Sequence, residues 1–128
     1  MTKIMVVDND RSTVETIKTA LELEGYDIIT AFGGQECLDK LKKEAVDLIL
    51  LDIMMPEIDG IQVLRRMNED EKLKKIPTIL MSALSIQSDA FQRSKEYVMH
   101  FENLKDEIEK PFDIVNFLAR IKKALEKK

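Results

Sequence analysis

The sequence is poor in cysteine, tryptophan, proline and glycine. It has one cysteine, no tryptophan, three prolines and four glycines in 128 residues. The single cysteine, Cys37, excludes an internal disulfide and a cysteine-based metal cage, and its place on a predicted helix is typical of a small packed hydrophobic residue. No segment is rich in Pro, Gly or Ser and no repeat is found, so residues 1–128 are predicted to form a single domain.

The sequence also lacks a long apolar run and an excess of basic residues. The longest apolar run is interrupted by carboxylates and is shorter than the ~20 residues that cross a membrane. The N-terminal segment has no signal-peptide pattern. The net charge is −4, with basic and acidic residues mixed along the chain, whereas a nucleic-acid-binding protein needs a basic patch or stripe. We therefore expect a cytoplasmic protein with no membrane and no nucleic-acid partner.

Short apolar runs alternate with helical periodicity along the whole chain. The runs predict strands at residues 3–8, 27–31, 47–52, 77–82 and 107–110. The segment Ser12-x-x-Glu15 predicts a capping box at the start of the first helix. The inward stripe predicted for the last helix is Ile114, Leu118, Ile121 and Leu125. The third run is apolar on both faces, as in a central parallel strand, and the alternation predicts an α/β fold with helices on both sides of a parallel sheet.

Four of the predicted strands end in polar side chains. These are Asp8, Asn9 and Asp10 after the first strand, Asp52 after the third, Ser82 at the fourth and Lys110 at the fifth. The carboxyl ends of parallel strands lie at one edge of a sheet, so these groups are expected to converge. Clustered carboxylates repel one another unless a cation joins them, and oxygen ligands suit Mg²⁺. A metal, a lysine and a hydroxyl around one carboxylate predict a phosphoryl-transfer site.

The same segments resemble the receiver domain of two-component response regulators, the CheY-like superfamily. They are Val6-Val7-Asp8-Asn9-Asp10, the block from Asp47 to Asp59-Gly60 that contains Asp52 and Met55-Pro56, the segment from Pro77 to Ser82-Ala83, and Lys110-Pro111-Phe112. The resemblance covers essentially the whole chain. It implies a flavodoxin-like three-layer α/β/α fold with a five-stranded parallel sheet in the order 2-1-3-4-5.

The resemblance implies a signalling phosphoryl acceptor rather than an enzyme. Asp52 would receive the phosphoryl group from the phosphohistidine of a sensor histidine kinase or a histidine phosphotransfer protein. The Mg²⁺ ligands implied are Asp8, Asn9, Asp52 and the backbone carbonyl of Met54. The Ser82 hydroxyl would bind the phosphoryl group, Lys110 would be its counter-charge, and Lys110-Pro111 would be a cis peptide. Output would reach a downstream protein through the face formed by the fourth and fifth helices.

Two site positions depart from the family pattern. Asn9 stands where the family usually has a second aspartate, and its neutral amide predicts weaker Mg²⁺ binding. Asp10 is interpreted as part of the start of the first helix, the alternative being partial compensation for the missing charge. Glu107 stands three residues before Lys110, where the family usually has Tyr or Phe. A charged side chain cannot fill the same apolar slot, so the usual coupling between hydroxyl and ring is not expected.

The segment between Ser82 and Lys110 is longer than usual for the family by about one and a half helical turns. It contains Phe91, Tyr97 and Phe101. The favoured interpretation is a longer fourth helix that buries its own apolar stripe. The alternative is a dedicated surface for a partner or a dimer.

Two residues beside the predicted site are apolar where the family often has polar side chains. They are Met54 and Leu84, each two positions after a site residue. In the family these side chains help to position or exclude the attacking water. We therefore predict slow loss of the phosphoryl group.

Two other functions fit parts of the sequence. Asn9 and Glu107 favour a receiver-like binding module that no longer depends on phosphorylation. Separately, the spacing of Asp8 and Asp10 resembles the nucleophile motif of haloacid-dehalogenase-type phosphatases. That motif needs a further acidic pair on a later strand, and it leaves Asp52 unexplained. A chain of this length fits both a stand-alone receiver that acts through protein contacts and one domain of a longer protein.

Overall fold

The computed structural model describes residues 1–83 and 89–126, and Leu84 lies outside these ranges. Strands and helices alternate along the described chain. The elements are β1 (Lys3–Val7), α1 (Arg11–Leu23), β2 (Asp27–Ala31), α2 (Gly34–Leu41), β3 (Leu48–Asp52), α3 (Gly60–Asn68), a 3₁₀ helix (Leu73–Lys75), β4 (Thr78–Ala83), α4 (Asp89–Val98), β5 (Leu104–Lys110) and α5 (Ile114–Glu126).

The strands form one sheet in the order β2-β1-β3-β4-β5. Each neighbouring pair is parallel, and β3 pairs with β1 on one side and β4 on the other. All five residues of β3 are buried, as expected for a central strand covered on both faces. The predicted α/β fold and strand order are therefore confirmed.

Two apolar clusters lie on opposite faces of the sheet. One contains Met5, Ile49 and Leu80 together with the buried residues of α2, α3 and α4. The other contains Ile4 and Leu50 with the buried residues of α1 and α5. Cys37 is fully buried in the first cluster, and burial raises the pKa of its thiol to about 12. The interpretation of this cysteine as a packed hydrophobic residue is confirmed.

The first helix begins at a different cap from the one predicted. The N-cap is Asp10, whose carboxylate accepts hydrogen bonds from the Ser12 backbone N–H at 3.0 Å and from the Thr13 hydroxyl at 3.1 Å. These bonds, the Thr13 hydroxyl bond foremost, lower the pKa of Asp10. The capping box on Ser12 and Glu15 is wrong, because the carboxylate two residues earlier already satisfies the free amide of Ser12. The favoured interpretation of Asp10, that it serves the start of this helix, is confirmed.

The buried stripe of α5 is rotated from the predicted one. Phe117, Ile121 and Ala124 are buried, whereas Ile114 is 38% exposed. The prediction is confirmed for Ile121 and wrong for Ile114, while Leu118 and Leu125 are partly buried and pack against the same cluster. Phe117 is the largest fully buried side chain and stacks on Phe112, with ring centroids 4.2 Å apart. The burial of this large ring turns the helix away from the predicted orientation.

The fifth strand is longer than the sequence predicted. It begins at Leu104 rather than at residue 107 and has seven residues. Apolarity does not reveal its first half, because that half contains Lys105 and Asp106. Part of the extra length before Lys110 therefore lies in this strand. The fourth helix has ten residues; its described side chains include buried Val98, so the apolar stripe is confirmed only at that residue.

Candidate functional site

Three of the predicted site residues meet at the carboxyl edge of the sheet. The Lys110 ammonium lies 2.5 Å from the Asp8 carboxylate and 3.2 Å from the Asp52 carboxylate. Asp8 and Asp52 are buried, with 1% and 5% of their surface exposed, and the Lys110 side chain is 24% exposed. The structure thus places one ammonium between two buried carboxylates.

The alternation of side chains along the strands explains this meeting. Successive residues of a strand point to opposite faces. Ile4, Val6 and Ile108 belong to the cluster on the α1 and α5 side. Asp8 lies two residues after Val6, and Lys110 lies two residues after Ile108. Asp52 follows Leu50 of the same cluster. The three polar groups therefore leave the sheet toward the same side.

Ser82 lies at the same edge of the sheet as the three charged residues. It is 5% exposed and occupies β4 one residue beyond Met81, which pairs in register with Asp52. The structure describes no hydrogen bond from Ser82 to Asp8, Asp52 or Lys110. Its placement at the edge agrees with the prediction, while its proposed role with a phosphoryl group stays a prediction.

The Asp52 side chain is harder to ionise than an ordinary aspartate. Burial, followed by the negative charge of Asp8, raises its pKa from 3.8 to about 6, and the nearby Lys110 opposes part of this rise. Burial also acts to lower the pKa of Lys110, but its hydrogen bond to Asp8 and the charge of Asp52 outweigh that effect, so its pKa is raised. Lys110 therefore stays charged, and Asp52 is mostly ionised at neutral pH.

The first loop separates its three polar residues. Asp8 turns into the site, and its second oxygen accepts a hydrogen bond from the Asp10 backbone N–H at 2.9 Å. Asn9 is exposed, and the Asp10 side chain caps α1. Asp8 is thus held by the loop that follows it, while the Asp10 carboxylate is committed elsewhere. The phosphatase interpretation loses support, since it requires Asp10 as an acid or base beside Asp8.

The oxygen donors at this edge suit a hard cation with few protein ligands. Asp8 and Asp52 supply two adjacent carboxylates, and no described backbone N–H donates to the Met54 carbonyl oxygen. Within residues 1–83 and 89–126, no cluster of three or more His, Cys, Asp or Glu side chains could hold a metal. Mg²⁺ typically binds through one or two carboxylates and keeps several waters, so the donors fit this ion.

Glu107 lies beside an ion pair that the sequence did not indicate. Arg120 of α5 binds the Asp106 carboxylate at 2.5 and 2.8 Å and the Glu107 backbone carbonyl at 2.8 Å. The Arg120 hydrogen bond lowers the pKa of Asp106. Glu107 is half-buried and belongs to neither apolar cluster. The position at which the family usually has a rotating aromatic ring is therefore occupied by Glu107. Its strand, β5, is linked to α5 by the hydrogen bonds of Arg120.

A comparison with known protein families assigns most of this chain to one family. Residues 4–122 match the model of the response regulator receiver domain. The chain belongs to this family. It is a signalling family rather than a class of enzymes in the usual sense, and the observed fold and strand order agree with that assignment. The Lys110-Pro111 peptide implied by the resemblance is cis in the structure of this receiver domain.

Curated relatives of the receiver domain include regulators of transcription. The chain is 37% identical over 126 residues to the transcriptional regulatory protein CpxR homolog of Haemophilus influenzae, covering 98% of this chain and 51% of the relative. It is 36% identical over 124 residues to the alkaline phosphatase synthesis transcriptional regulatory protein PhoP of Bacillus subtilis, covering 96% of this chain and 48% of the relative. The chain thus spans about half the length of these two relatives.

Solved receiver structures share the fold over nearly the whole chain. A receiver domain of a signal transduction histidine kinase from Syntrophus aciditrophicus is 29% identical with a TM-score of 0.85, covering 99% of this chain and 92% of that one. A CheY-like receiver domain protein from Methanospirillum hungatei is 24% identical with a TM-score of 0.86, covering 99% and 95%. Among the described residues of our receiver domain, no helix has the length and apolarity needed to span a membrane.

Proposed function

We propose that this receiver domain is a Mg²⁺-dependent phosphoryl acceptor in two-component signalling, with Asp52 as the acceptor. The observation that carries the proposal is a buried Asp52 carboxylate that contacts Lys110 at the end of the central strand. The proposed donor is the phosphohistidine of a sensor histidine kinase or of a histidine phosphotransfer protein. The proposed place of action is the cytoplasm, and no contact with a membrane or nucleic acid is proposed for this chain.

The proposed reaction is a direct transfer to the carboxylate. An oxygen of Asp52 forms a bond to phosphorus while the phosphorus–nitrogen bond of the donor breaks, and its electron pair returns to the imidazole. The pKa of about 6 leaves Asp52 ionised at neutral pH, as a nucleophile must be. Lys110 offsets the charge of the phosphoryl oxygens, and Ser82 donates a hydrogen bond to one of them.

A bound Mg²⁺ would add positive charge at the phosphoryl oxygens. The residues proposed to hold it are Asp8, Asn9, Asp52 and the Met54 backbone carbonyl. Asp8 supports this role because it is fixed by the Asp10 amide and shares Lys110 with Asp52. A cation there would relieve the repulsion between the two carboxylates.

The proposal is tested by incubating the protein with Mg²⁺ and acetyl phosphate and measuring its intact mass. We expect one phosphate adduct on the wild type and none on Asp52→Asn. Asp10→Asn is the matched control, because it changes an exposed aspartate in the adjacent loop, and it should keep the adduct. An adduct that survives in Asp52→Asn would refute Asp52 as the acceptor. No adduct on the wild type at saturating Mg²⁺ would favour the phosphorylation-independent module.

Restoration of a carboxylate at position 9 should strengthen metal binding. We expect Asn9→Asp to lower the Kd for Mg²⁺ by about tenfold, since a third negative charge joins the oxygen donors. The measurement is a Mg²⁺ titration followed by thermal denaturation or calorimetry. Asn116→Asp is the matched control, because it adds the same charge at an exposed position of α5. Equal Mg²⁺ affinity in Asn9→Asp and the wild type would remove Asn9 from the proposed ligand set.

A polar group at Met54 should shorten the lifetime of the phosphoryl group. The Met54 side chain is 56% exposed in the loop after Asp52, and it offers no hydrogen bond to an attacking water. We expect Met54→Gln to speed dephosphorylation by about three- to tenfold, which is about 1 kcal/mol in the barrier. Met99→Gln is the control, because Met99 is 55% exposed and lies far along the chain. An unchanged rate in Met54→Gln would contradict this role.

The proposed output surface is the face formed by α4, β5 and α5. Large apolar side chains are exposed near its two ends: Tyr97 and Met99 at the end of α4, at 57% and 55%, and Ile114 and Val115 at the start of α5, at 38% and 71%. Exposed apolar groups of this kind are common at protein contacts. We propose that a downstream protein binds this surface. The Tyr97 ring already packs edge-on against Phe101, with centroids 5.6 Å apart, so it is presented in a defined orientation.

A further inference from the structure

A polar cavity lies at the edge of the sheet opposite Asp52. Its volume is about 520 Å³, and the residues that matter most in its wall are Lys74, Lys75, His100, Phe101, Asn103 and Lys105. They come from the 3₁₀ helix and from the segment that leads into β5, at the amino ends of β4 and β5. All strands are parallel, so this cavity is separated from the acceptor site by the length of the sheet. The volume is typical of sites for small molecules, which range from about 300 to 1,000 Å³.

Asn103 is a buried amide without a partner. The residue is 2% exposed, and neither its side-chain oxygen nor its side-chain nitrogen has a hydrogen-bond partner within the described chain. Such groups are rare in folded proteins because burial of an unpaired amide is unfavourable. The backbone holds the residue in place, since its carbonyl accepts a hydrogen bond from the Thr78 N–H at 2.7 Å. The backbone of Asn103 is therefore fixed, while its side-chain amide is left unpaired within the described chain.

A local irregularity of the sheet lies next to the amide. The pairing of β4 with β5 shifts between Thr78, which pairs with Leu104, and Ile79, which pairs with Asp106. One residue of β5, Lys105, is thus left over as a bulge. Bulges redirect side chains and are frequent beside binding sites. Here the bulge places Lys105 in the wall of the same cavity as Asn103.

The charge of the cavity is opposite to that of the whole protein. The net charge of the chain is −4, yet three lysines line this cavity with one carboxylate, Glu102. Lys74 is paired with Glu71 at 3.1 Å. Lys75 and Lys105 are exposed, and neither has an ion pair among residues 1–83 and 89–126. Two ammonium groups are therefore available to an anion that contacts the Asn103 amide.

We propose that this cavity binds a small phosphate-bearing molecule, up to the size of a mononucleotide. On binding, the buried Asn103 side chain rotates toward the cavity, where its amide nitrogen donates to a phosphoryl oxygen and its amide oxygen accepts from a protonated oxygen or an N–H of the ligand. Lys75 and Lys105 offset the phosphate charge. The half-buried Phe101 ring supplies an apolar wall for the remainder of the molecule. This site does not depend on phosphorylation of Asp52.

The test is a titration of the ¹⁵N-labelled protein with inorganic phosphate and, separately, with adenosine monophosphate. We expect saturable shifts of the Asn103 side-chain amide signals with both probes, and tighter binding of the nucleotide if Phe101 contributes. Lys75→Ala and Lys105→Ala should each weaken binding by about tenfold. Lys122→Ala removes an exposed lysine of α5 and should change nothing, and Asp52→Asn should also bind normally.

A second variant tests the amide itself. Asn103→Leu has a similar volume without polar atoms, so we expect a higher Tm in the absence of ligand and loss of phosphate binding. No saturable shift with either probe would overturn the proposal, as would equal weakening by Lys122→Ala, which would indicate non-specific attraction of anions. If Asn103→Leu fails to fold, the lysine variants still decide between these outcomes. A failure of Asp52 to take up a phosphoryl group would leave the binding of phosphate in this cavity unchanged, so the two proposals can fail separately.

Discussion

Gly60→Ala is expected to destabilise the domain by about 3 kcal/mol and to lower its Tm by roughly 10 °C. A methyl group at this position would lie 2.4 Å from the Asp52 carbonyl oxygen and 2.9 Å from the Cα atom of Ile53. Both contacts are with backbone, which cannot rotate away as a flexible side chain could. The Gly60 N–H also donates to the Ile53 carbonyl at 2.8 Å, so α3 begins against the end of β3. The measurement is chemical and thermal denaturation.

The control for this substitution is another glycine at a helix start. A methyl group at Gly33 would have no atom within 4 Å, and Gly33 is the N-cap of α2 with an extended backbone. Gly33→Ala should change the free energy of unfolding by less than about 1 kcal/mol. If Gly60→Ala is as stable as Gly33→Ala, the start of α3 does not lie as close to the Asp52 backbone as in this structure. Because the clash is with Asp52 itself, we also expect the residual folded Gly60→Ala protein to take up phosphate poorly.

Asp52→Asn is expected to stabilise the metal-free protein at neutral pH. The folded-state pKa of Asp52 is raised from 3.8 to about 6, so between these pH values the folded state binds more protons than the unfolded state. The free energy of unfolding of the wild type therefore falls as pH rises through this interval. Below about pH 4, Asp52 is protonated in both the folded and the unfolded state. Above about pH 6, the fall in the free energy of unfolding is complete. The shift corresponds to about 3 kcal/mol at most, since one pKa unit is about 1.4 kcal/mol.

The measurement is the difference in unfolding free energy between Asp52→Asn and the wild type across this pH range, in the presence of a chelator. The difference should be small near pH 4, grow in favour of the variant up to about pH 6, and then remain constant. Addition of Mg²⁺ should reduce or reverse it, because the cation stabilises only the protein that binds it. Asp39→Asn, which changes an exposed aspartate of α2, is the control. A constant difference at every pH would contradict the raised pKa.

Strands with continuous apolar sequence were predictable to within about one residue, and charged ones were not. Leu48 to Leu51 are apolar and buried on both faces, so their pattern alone marks a central strand. The first half of β5 is charged, since one of its sides faces solvent at the edge of the sheet, and it was missed. The cap of α1 was misplaced because Asp10 and Ser12 are both good cap residues. Only the structure of the turn shows that the Asp10 carboxylate, rather than the Ser12 hydroxyl, accepts a hydrogen bond from a free amide at the start of α1.

The members of the site were predictable, while their pairing was not. Asp8, Asp52 and Lys110 follow buried runs, so parallel topology alone brings them to one edge. The family resemblance implies that Lys110 is a counter-charge to a phosphoryl group, whereas in the structure Lys110 contacts Asp8 as well as Asp52. The unpaired amide of Asn103 had no signal in the sequence, because burial of a single polar residue follows from the packing around it and not from any periodicity.

The charged edge of the sheet has a consequence for self-association in solution. A second copy could lengthen the sheet only by pairing with β2 or β5, the two outer strands. On β5, the bulge at Lys105 interrupts the regular ladder, and exposed Lys105 and Glu109 place charges along the strand. Natural proteins use both features to block strand-to-strand aggregation. The β5 edge is therefore not expected to pair with a further strand, so copies of this domain that associate are not expected to meet through this edge.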